Sequence, residues 1–443
     1  MSEPLRVLQV LGSSAGGVAR HVAQVAEGAR ARGVHVMVAG PGALAGVVAP
    51  GRAVPFHAVE ISDRPGPGDL TAVVRLRGLL RGADVVHAHG LRAGALVVLA
   101  ARTSRRRPAV VVTLHNLPVG GRAIRAVAEV LERLVGRGAD VVLGVSGDLV
   151  ERARLRGARR AERALVPAPP RPAPTASRDE VRAALGLGAD ESLVVTVARL
   201  APQKGFDLLC DAAALLSTTL PSTTLPSTTL PTTRLTSTAL PSTTLPSTTL
   251  SSTTQPSNTL PTTTSTSTTP ARPGRTGPSH PDGGEEVAAR PARNLLWVVA
   301  GDGPLREEIE TRIVTEGLPV RLLGRREDVP DLMAAADVVT STARWEGQPL
   351  NVQEALAVGA ALVATDVGGT REVTQDAAVL VPVDDASALA AAVRGLLDDP
   401  ARRDALRAAA RARAAELPDL EQTLDQLARV WDEALRHAVD ATA

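Results

Sequence analysis

Glu346 and Glu354 stand eight residues apart in STARWEGQPLNVQEALAVGAALVATDVGGTREV, with Pro349 placed to start a helix between them. If most of the interval is helical, the two carboxylates lie roughly 12 Å apart along the axis. That exceeds the separation of about 5–9.5 Å between the paired carboxyl groups of a typical glycoside hydrolase. It suits a ligand as long as a nucleotide sugar, with one carboxylate on sugar hydroxyls, the helix N-terminus facing a diphosphate and the other carboxylate on a ribose. On spacing alone, two surface glutamates flanking an amphipathic helix account for the pattern as well.

Other residues narrow the chemistry. Gly16 and Gly17 open the pattern GVARHVAQVAEGARARG, where glycine lets backbone approach a phosphate or a sugar at a helix start. As a dinucleotide fingerprint the segment fails, because Ser14 stands where the second glycine belongs and VHVMVAG ends without the acidic residue that binds a ribose 2′-hydroxyl. An NAD enzyme is therefore disfavoured. His87 and His89, two apart on one strand, point to one face and raise the question of a metal. No nearby carboxylate or cysteine completes a ligand set, so a structural role or an acceptor contact fits better.

These side chains must be carried by regular elements. From Leu5 to Val166 short β-branched runs alternate with helical patterns, and such alternation specifies a parallel sheet with crossover helices. Asp69 is a plausible N-cap for LTAVVRLRGLLRG. The Pro-rich run VPAPPRPAPT, residues 166–175, makes 167–178 read as an extended linker. A second α/β series then starts at SLVVTVARL, breaks off after GFDLLCDAAALL, resumes at NLLWVVAGDG and runs to residue 417. A final helical pattern covers 418–443. The two α/β domains are thus 1–166, and 179–216 with 294–417.

Residues 217–293 interrupt the second series with the pentads STTLP and their variants. Proline at every fifth residue forbids a helix, and too few large apolar groups are present to offset the ordering entropy, so the reading is a disordered insertion in a helix-to-strand connection. Extending such a connection costs only about 2 kcal/mol by the logarithmic closure term.

Composition sets the outer bounds. The 443 residues are 44% apolar and 22% charged, which is ordinary for a globular chain, and a net charge of +2 gives no cationic field of the kind nucleic acid binding needs. One cysteine, Cys210, excludes an internal disulfide and sits in an apolar run that makes it a core residue. The N-terminus reads as a first strand and not a signal peptide, and no apolar run reaches the ~18 residues that span a bilayer. The expectation is a cytoplasmic enzyme, peripheral to the inner face of the membrane.

Taken together, the segment around Glu346 and Glu354, VARLAPQKGFDLL, VVAGDGPLREEIE, GSSAGGVARHVAQVAEGARARGVHV, VVHAHG and VTLHN resemble the ordered motifs of family-4 retaining glycosyltransferases. The resemblance covers the chain outside residues 217–293. It implies the GT-B fold: two Rossmann-like α/β domains facing a cleft, with the C-terminal helix crossing back to the first. It implies that Arg199 and Lys204 bind the donor diphosphate, a role for which cationic side chains at a strand end are suited because they neutralise charge on a departing nucleoside diphosphate. Glu346 would contact the transferred sugar and Glu354 the ribose, while backbone N–H groups near Pro349 to Asn351, that of Leu350 among them, would face the phosphates. His115 would contact the donor sugar across the cleft.

The function so implied is transfer of a hexose from a UDP- or GDP-sugar, the donor substrate, to a glycan or lipid-linked acceptor, with no cofactor. The chain has no Asp-x-Asp, the usual metal-diphosphate motif of the other major glycosyltransferase fold, so the implied mechanism needs no metal. Retention would proceed on one sugar face through a short-lived oxocarbenium-like species. Arg122 and Arg125 beside a helix suggest contact with anionic lipid. A nucleotide-sugar 2-epimerase of the same fold and a non-enzymatic, repeat-bearing surface protein remain as alternatives. Two segments depart from the family pattern: LVPAPPRPAP replaces the usual turn before the linker, and Gln348 to Asn351 replaces a run where an aromatic and small residues are common.

Overall fold

The computed structural model describes residues 3–13, 16–62, 64–117, 121–168, 172–188, 190–217 and 294–440. The expected insertion therefore lies, past Ser217, outside the described residues. Ser217 itself belongs to regular structure: it closes the helix Phe206–Ser217, and its Oγ donates to the Ala213 carbonyl at 2.8 Å.

The first domain is built on seven strands, β1 (Arg6–Leu11), β2 (His35–Gly40), β3 (Phe56–Ala58), β4 (Val85–His89), β5 (Ala109–Leu114), β6 (Val141–Gly144) and β7 (Ala161–Arg163). Their order is β3-β2-β1-β4-β5-β6-β7 and every pairing is parallel. The second domain has six, β8 (Ser192–Val197), β9 (Leu295–Ala300), β10 (Val320–Gly324), β11 (Val338–Ser341), β12 (Leu362–Thr365) and β13 (Val379–Val381). They run β10-β9-β8-β11-β12-β13, again all parallel. Both sheets thus reverse strand order once, between β1 and β4 and between β8 and β11. Ligands of open α/β sheets bind beyond the carboxyl ends of the strands at such a switch point.

Strands β4 and β5 are buried along their whole length, which is why they read as continuous apolar runs instead of alternating ones. The short strands β3 and β7 carry no comparable pattern and were not legible in sequence. Cys210 is buried, and burial pushes its thiol up to about 11. Asp69 is not an N-cap. It lies in the first turn of the helix Gly68–Leu79, where its carboxylate accepts from the Gly66 N–H at 3.1 Å and from Arg92 at 2.6 Å.

The helix Leu420–Asp440 returns to the first domain, placing Leu424, Leu427, Val430, Trp431 and Ala434 in its core. Gly28 makes this approach feasible: a Cβ there would stand 2.6 Å from Leu424 Cδ1. Polar contacts secure it, with Gln426 Oε1 accepting from the Leu165 N–H at 2.8 Å and its Nε2 donating to the Arg163 carbonyl at 2.6 Å.

Candidate active site

Beyond the end of β8, Arg199 is exposed and makes no side-chain hydrogen bond or ion pair among the described residues. Its loop is held from the next strand. Gly301 has a φ of 151°, and a Cβ there would collide with the Ala198 carbonyl, so GDG at the end of β9 lies directly on the backbone that carries Arg199. After it Pro202–Lys204 forms a single 3-10 turn closed by Gly205 at φ 62°. Thr342 Oγ1 donates to the Lys204 carbonyl at 2.8 Å and the Arg344 N–H to the Gln203 carbonyl at 2.9 Å. The turn is thereby fastened to the segment leaving β11, and the Lys204 ammonium pairs with the Glu346 carboxylate, the two side chains only 20% and 13% exposed.

Two glycines fix the backbone of Glu346. The Gly369 N–H donates to the Glu346 carbonyl at 3.0 Å, and Gly368, at φ 49°, lies so close that a side chain would strike that same carbonyl. Gly347 in turn packs on the His115 carbonyl and on Val145, which brings the first domain against the residue next to Glu346.

The helix Leu350–Ala357 begins directly after Pro349, and no side chain caps its first turn. Half the interval between Glu346 and Glu354 is therefore irregular, and the 12 Å axial figure does not describe it. Asn351 is committed through its side chain, Nδ2 donating to the Val197 carbonyl at 3.2 Å and tying this helix to the end of β8. Glu354 is buried within the helix. The helix Gly17–Ala31 also starts without a side-chain cap, after Gly16. A Cβ on Gly17 would be 2.7 Å from Leu350 Cδ1, so the first turns of the two helices meet through these residues. Uncapped N–H groups at two facing helix starts make a ready site for an anion.

His115, just past β5, belongs to a cluster of four buried histidines that sequence reasoning did not assemble. His89 Nδ1 lies 3.1 Å from His115 Nε2, His89 Nε2 lies 2.7 Å from Gln9 Oε1, and His87 Nε2 lies 2.7 Å from Thr113 Oγ1. His21 stands edge-on to both His89 and His115 at 5.9 Å between ring centres. Burial pushes His21 down to about 4 and His87 to about 3. Burial first, and then the neighbouring rings, hold His89 and His115 well below the usual histidine range.

First-domain residues also grip the segment around Glu346. Trp345 Nε1 donates to Asp148 Oδ2 at 3.0 Å, and Arg163 Nη2 donates to Gln348 Oε1 at 3.0 Å. Glu372 accepts from the Gly147 N–H at 2.7 Å and from Arg163 Nε at 2.6 Å. Neither Asp148 nor Glu372 has a local pattern that would have singled it out. One signal in the sequence did go unused: of its 49 lysines and arginines, Lys204 is the only lysine.

The chain matches the family model for the glycosyl transferase 4-like domain over residues 16–169 and that for glycosyl transferases group 1 over residues 285–399. The chain belongs to the family-4 glycosyltransferases of GT-B fold. Among its curated relatives are a lipopolysaccharide core biosynthesis mannosyltransferase of Rhizobium meliloti, 31% identical over 36% of this chain and 45% of that one, and an alpha-D-kanosaminyltransferase of Streptomyces kanamyceticus, 31% identical over 32% and 39%. The chain thus spans less than half the length of these relatives. In fold, the chain is similar to Anabaena HepE solved with UDP and glucose, with a TM-score of 0.67 at 19% identity over 97% of this chain and 99% of that one. It is also similar to WaaG, a glycosyltransferase involved in lipopolysaccharide biosynthesis, with a TM-score of 0.60 at 16% identity over 96% and 99%.

Proposed function

We propose that this glycosyltransferase moves a hexose from a nucleoside diphosphate sugar to a glycan or lipid-linked acceptor, with retention and without a metal ion. The observation that carries the reading is the Lys204–Glu346 pair, set beyond the switch point of the second sheet beside the helix start at Leu350, where Gly17 and His115 of the first domain come close. In this reading the diphosphate lies on the uncapped N–H groups of Leu350 and Asn351, with Gly16 and Gly17 opposite. Arg199, without a carboxylate partner among the described residues, and Lys204 neutralise the charge that grows on the leaving diphosphate, a task that pre-positioned cations perform without reorganisation. Glu346, oriented by Lys204, takes sugar hydroxyls, His115 meets the sugar from the first domain, and Glu354 serves the ribose.

Support for a nucleotide-sugar donor comes from relatives whose names specify one, such as a GDP-mannose-dependent mannosyltransferase of Corynebacterium glutamicum, and from the UDP bound to HepE. The test is release of UDP or GDP from a donor panel, with and without acceptor extract. Because Lys204 is the only lysine, an amine-acylating reagent reports directly on the site, with the N-terminus as internal reference. Protection by one nucleotide sugar, and release that depends on acceptor, are expected. No protection and no turnover with any donor would sink the reading, while release without acceptor would favour epimerisation.

An anionic membrane surface is the proposed location of a lipid-linked acceptor. On the helix Arg122–Gly138, Ile124 is 50% and Val130 63% exposed, and Arg122 and Arg125 have no ion-pair partner among the described residues. Apolar and basic groups on one exposed helix suit an interface with acidic headgroups. Co-sedimentation with phosphatidylglycerol vesicles, lost in Arg122→Ala/Arg125→Ala, is expected; unchanged binding would refute it. No described helix is long and apolar enough to cross a membrane.

A further inference from the structure

Gln9 is a fully buried polar residue in the middle of β1, and its Oε1 faces His89 Nε2. With the amide in this orientation its oxygen accepts, which puts the proton of His89 on Nε2, while the Gln9 Nε2 is itself buried without a partner. Neutral His89 then offers a lone pair at Nδ1, and its neighbour His115 Nε2 must be the donor across their 3.1 Å contact. One ring nitrogen of His115, Nδ1, is left with a lone pair. The Nδ1 atoms of His21 and His87 are buried without a partner, and that of His115 is not among such atoms. His115 is also the most exposed of the four histidines, and its carbonyl rests on Gly347, next to Glu346.

We propose that Gln9 and His89 are positioning residues that lock His115 in the Nε2–H form, so that its Nδ1 accepts a hydrogen bond from a hydroxyl of the donor sugar. The inference rests on the donor-site reading above. A lone pair directed at the sugar is favourable where an oxocarbenium-like cation develops, whereas an imidazolium there would oppose it. Every described ionisable group facing this chain is itself a histidine: His21 from the helix Gly17–Ala31, His87 on β4 with its ring centre 4.4 Å from that of His89, and His115 after β5. The C-terminal helix contributes Trp431, edge-on to His87. No carboxylate among the described residues faces the cluster to hold a proton on it, so the relay stays neutral.

Nitrogen-15 spectra of the histidine rings in the full chain, assigned with His115→Ala, read the tautomer directly. The expected result is protonated Nε2 and bare Nδ1 on His115, a preference lost in His89→Leu and in Gln9→Leu. Protonated Nδ1 in the wild type, or an unchanged tautomer in a folded His89→Leu, overturns the proposal. The nearly isosteric Gln9→Glu keeps it testable should the leucine variants misfold: a buried carboxylate at His89 Nε2 should make the pair titrate between about pH 5 and 8, where wild-type signals stay constant, and absence of that titration counts against it. In turnover of UDP-glucose or GDP-mannose, His89→Leu should lower kcat/KM roughly tenfold to hundredfold, the usual range for groups that orient a functional histidine. His89→Asn, whose amide oxygen replaces Nδ1, should recover most of it; loss without recovery would mean packing alone. If His115→Ala leaves turnover intact, the donor-site reading fails, whereas loss in His115→Ala with none in His89→Leu removes only the present inference.

Discussion

Replacing Gly368 with alanine should uncouple the placement of Glu346 from the stability of the fold. A Cβ at this position would stand 1.8 Å from the Glu346 carbonyl oxygen, against the 3.0 Å that real Cβ contacts keep, so the two backbones must part by about 1.2 Å. That movement stretches the Gly369 N–H bond to the same carbonyl, worth about 1 kcal/mol. The φ of 49° adds about 1–2 kcal/mol for a residue with a Cβ. The expected loss of stability is thus about 2–3 kcal/mol, within what a folded chain tolerates. The catalytic loss is the larger effect, since a 1 Å misplacement of a reacting group costs about 100-fold. Gly317→Ala is the matched control: its φ is 61°, with nothing within 4 Å of a built Cβ. The assay compares thermal unfolding and nucleotide release for both variants. A Gly368→Ala protein that melts like the control and turns over at the wild-type rate would refute the argument that these glycines place Glu346.

Further outcomes follow from the same geometry. Lys204→Arg keeps the charge but replaces a compact ammonium by a planar fork, and should lower kcat by at least tenfold with the fold intact; wild-type turnover would show that only charge matters there. Stability should fall steeply with acid. The folded pKa values of His21 and His87 lie below the unfolded value near 6.5, so the unfolded chain binds more protons and stability, complete above pH 6.5, is lost as pH falls. Each removes about 2 kcal/mol by pH 5, with His89 and His115 acting in the same direction; a melting temperature constant from pH 7 to 5 would contradict this. Trp431→Ala, which empties a buried site under the returning helix, should cost about 3–5 kcal/mol in chemical denaturation. Glu372→Gln and Asp148→Ala, which loosen the Arg163–Glu372 and Trp345–Asp148 contacts between the two domains, should raise KM for the donor more than they alter the melting temperature.

Where the chemistry would lie was largely legible before any coordinates. The second strand series ends at VARLAPQKG and STARWEG, and glycines, cations and carboxylates clustered after strands announce ligand contacts because backbone there is free of ladder bonds. Helix starts were less legible. Asp69 looked like a cap but is spent on Arg92, and Ser217 looked like the first residue of the repeat but closes a helix through its own hydroxyl. In both cases a side chain that bonds its local backbone in one context bonds elsewhere in another, and only the neighbours decide.

By itself, the sequence determined the two parallel sheets, the carboxyl-end location of Arg199, Lys204, His115 and Glu346, and the burial of Cys210. Hydrophobic period and strand-helix alternation are local properties, so they survive in one dimension. Tertiary structure alone decided that Lys204 meets Glu346, 142 positions away, that Gly368 and Gly369 fix the carbonyl of Glu346, and that Gln9, His89 and His115 form one chain of hydrogen bonds. Each of those pairings joins residues carried by different strands or by the segments that follow them. Which strand ends are neighbours is set by the order in which the sheet assembles, and no local pattern encodes it.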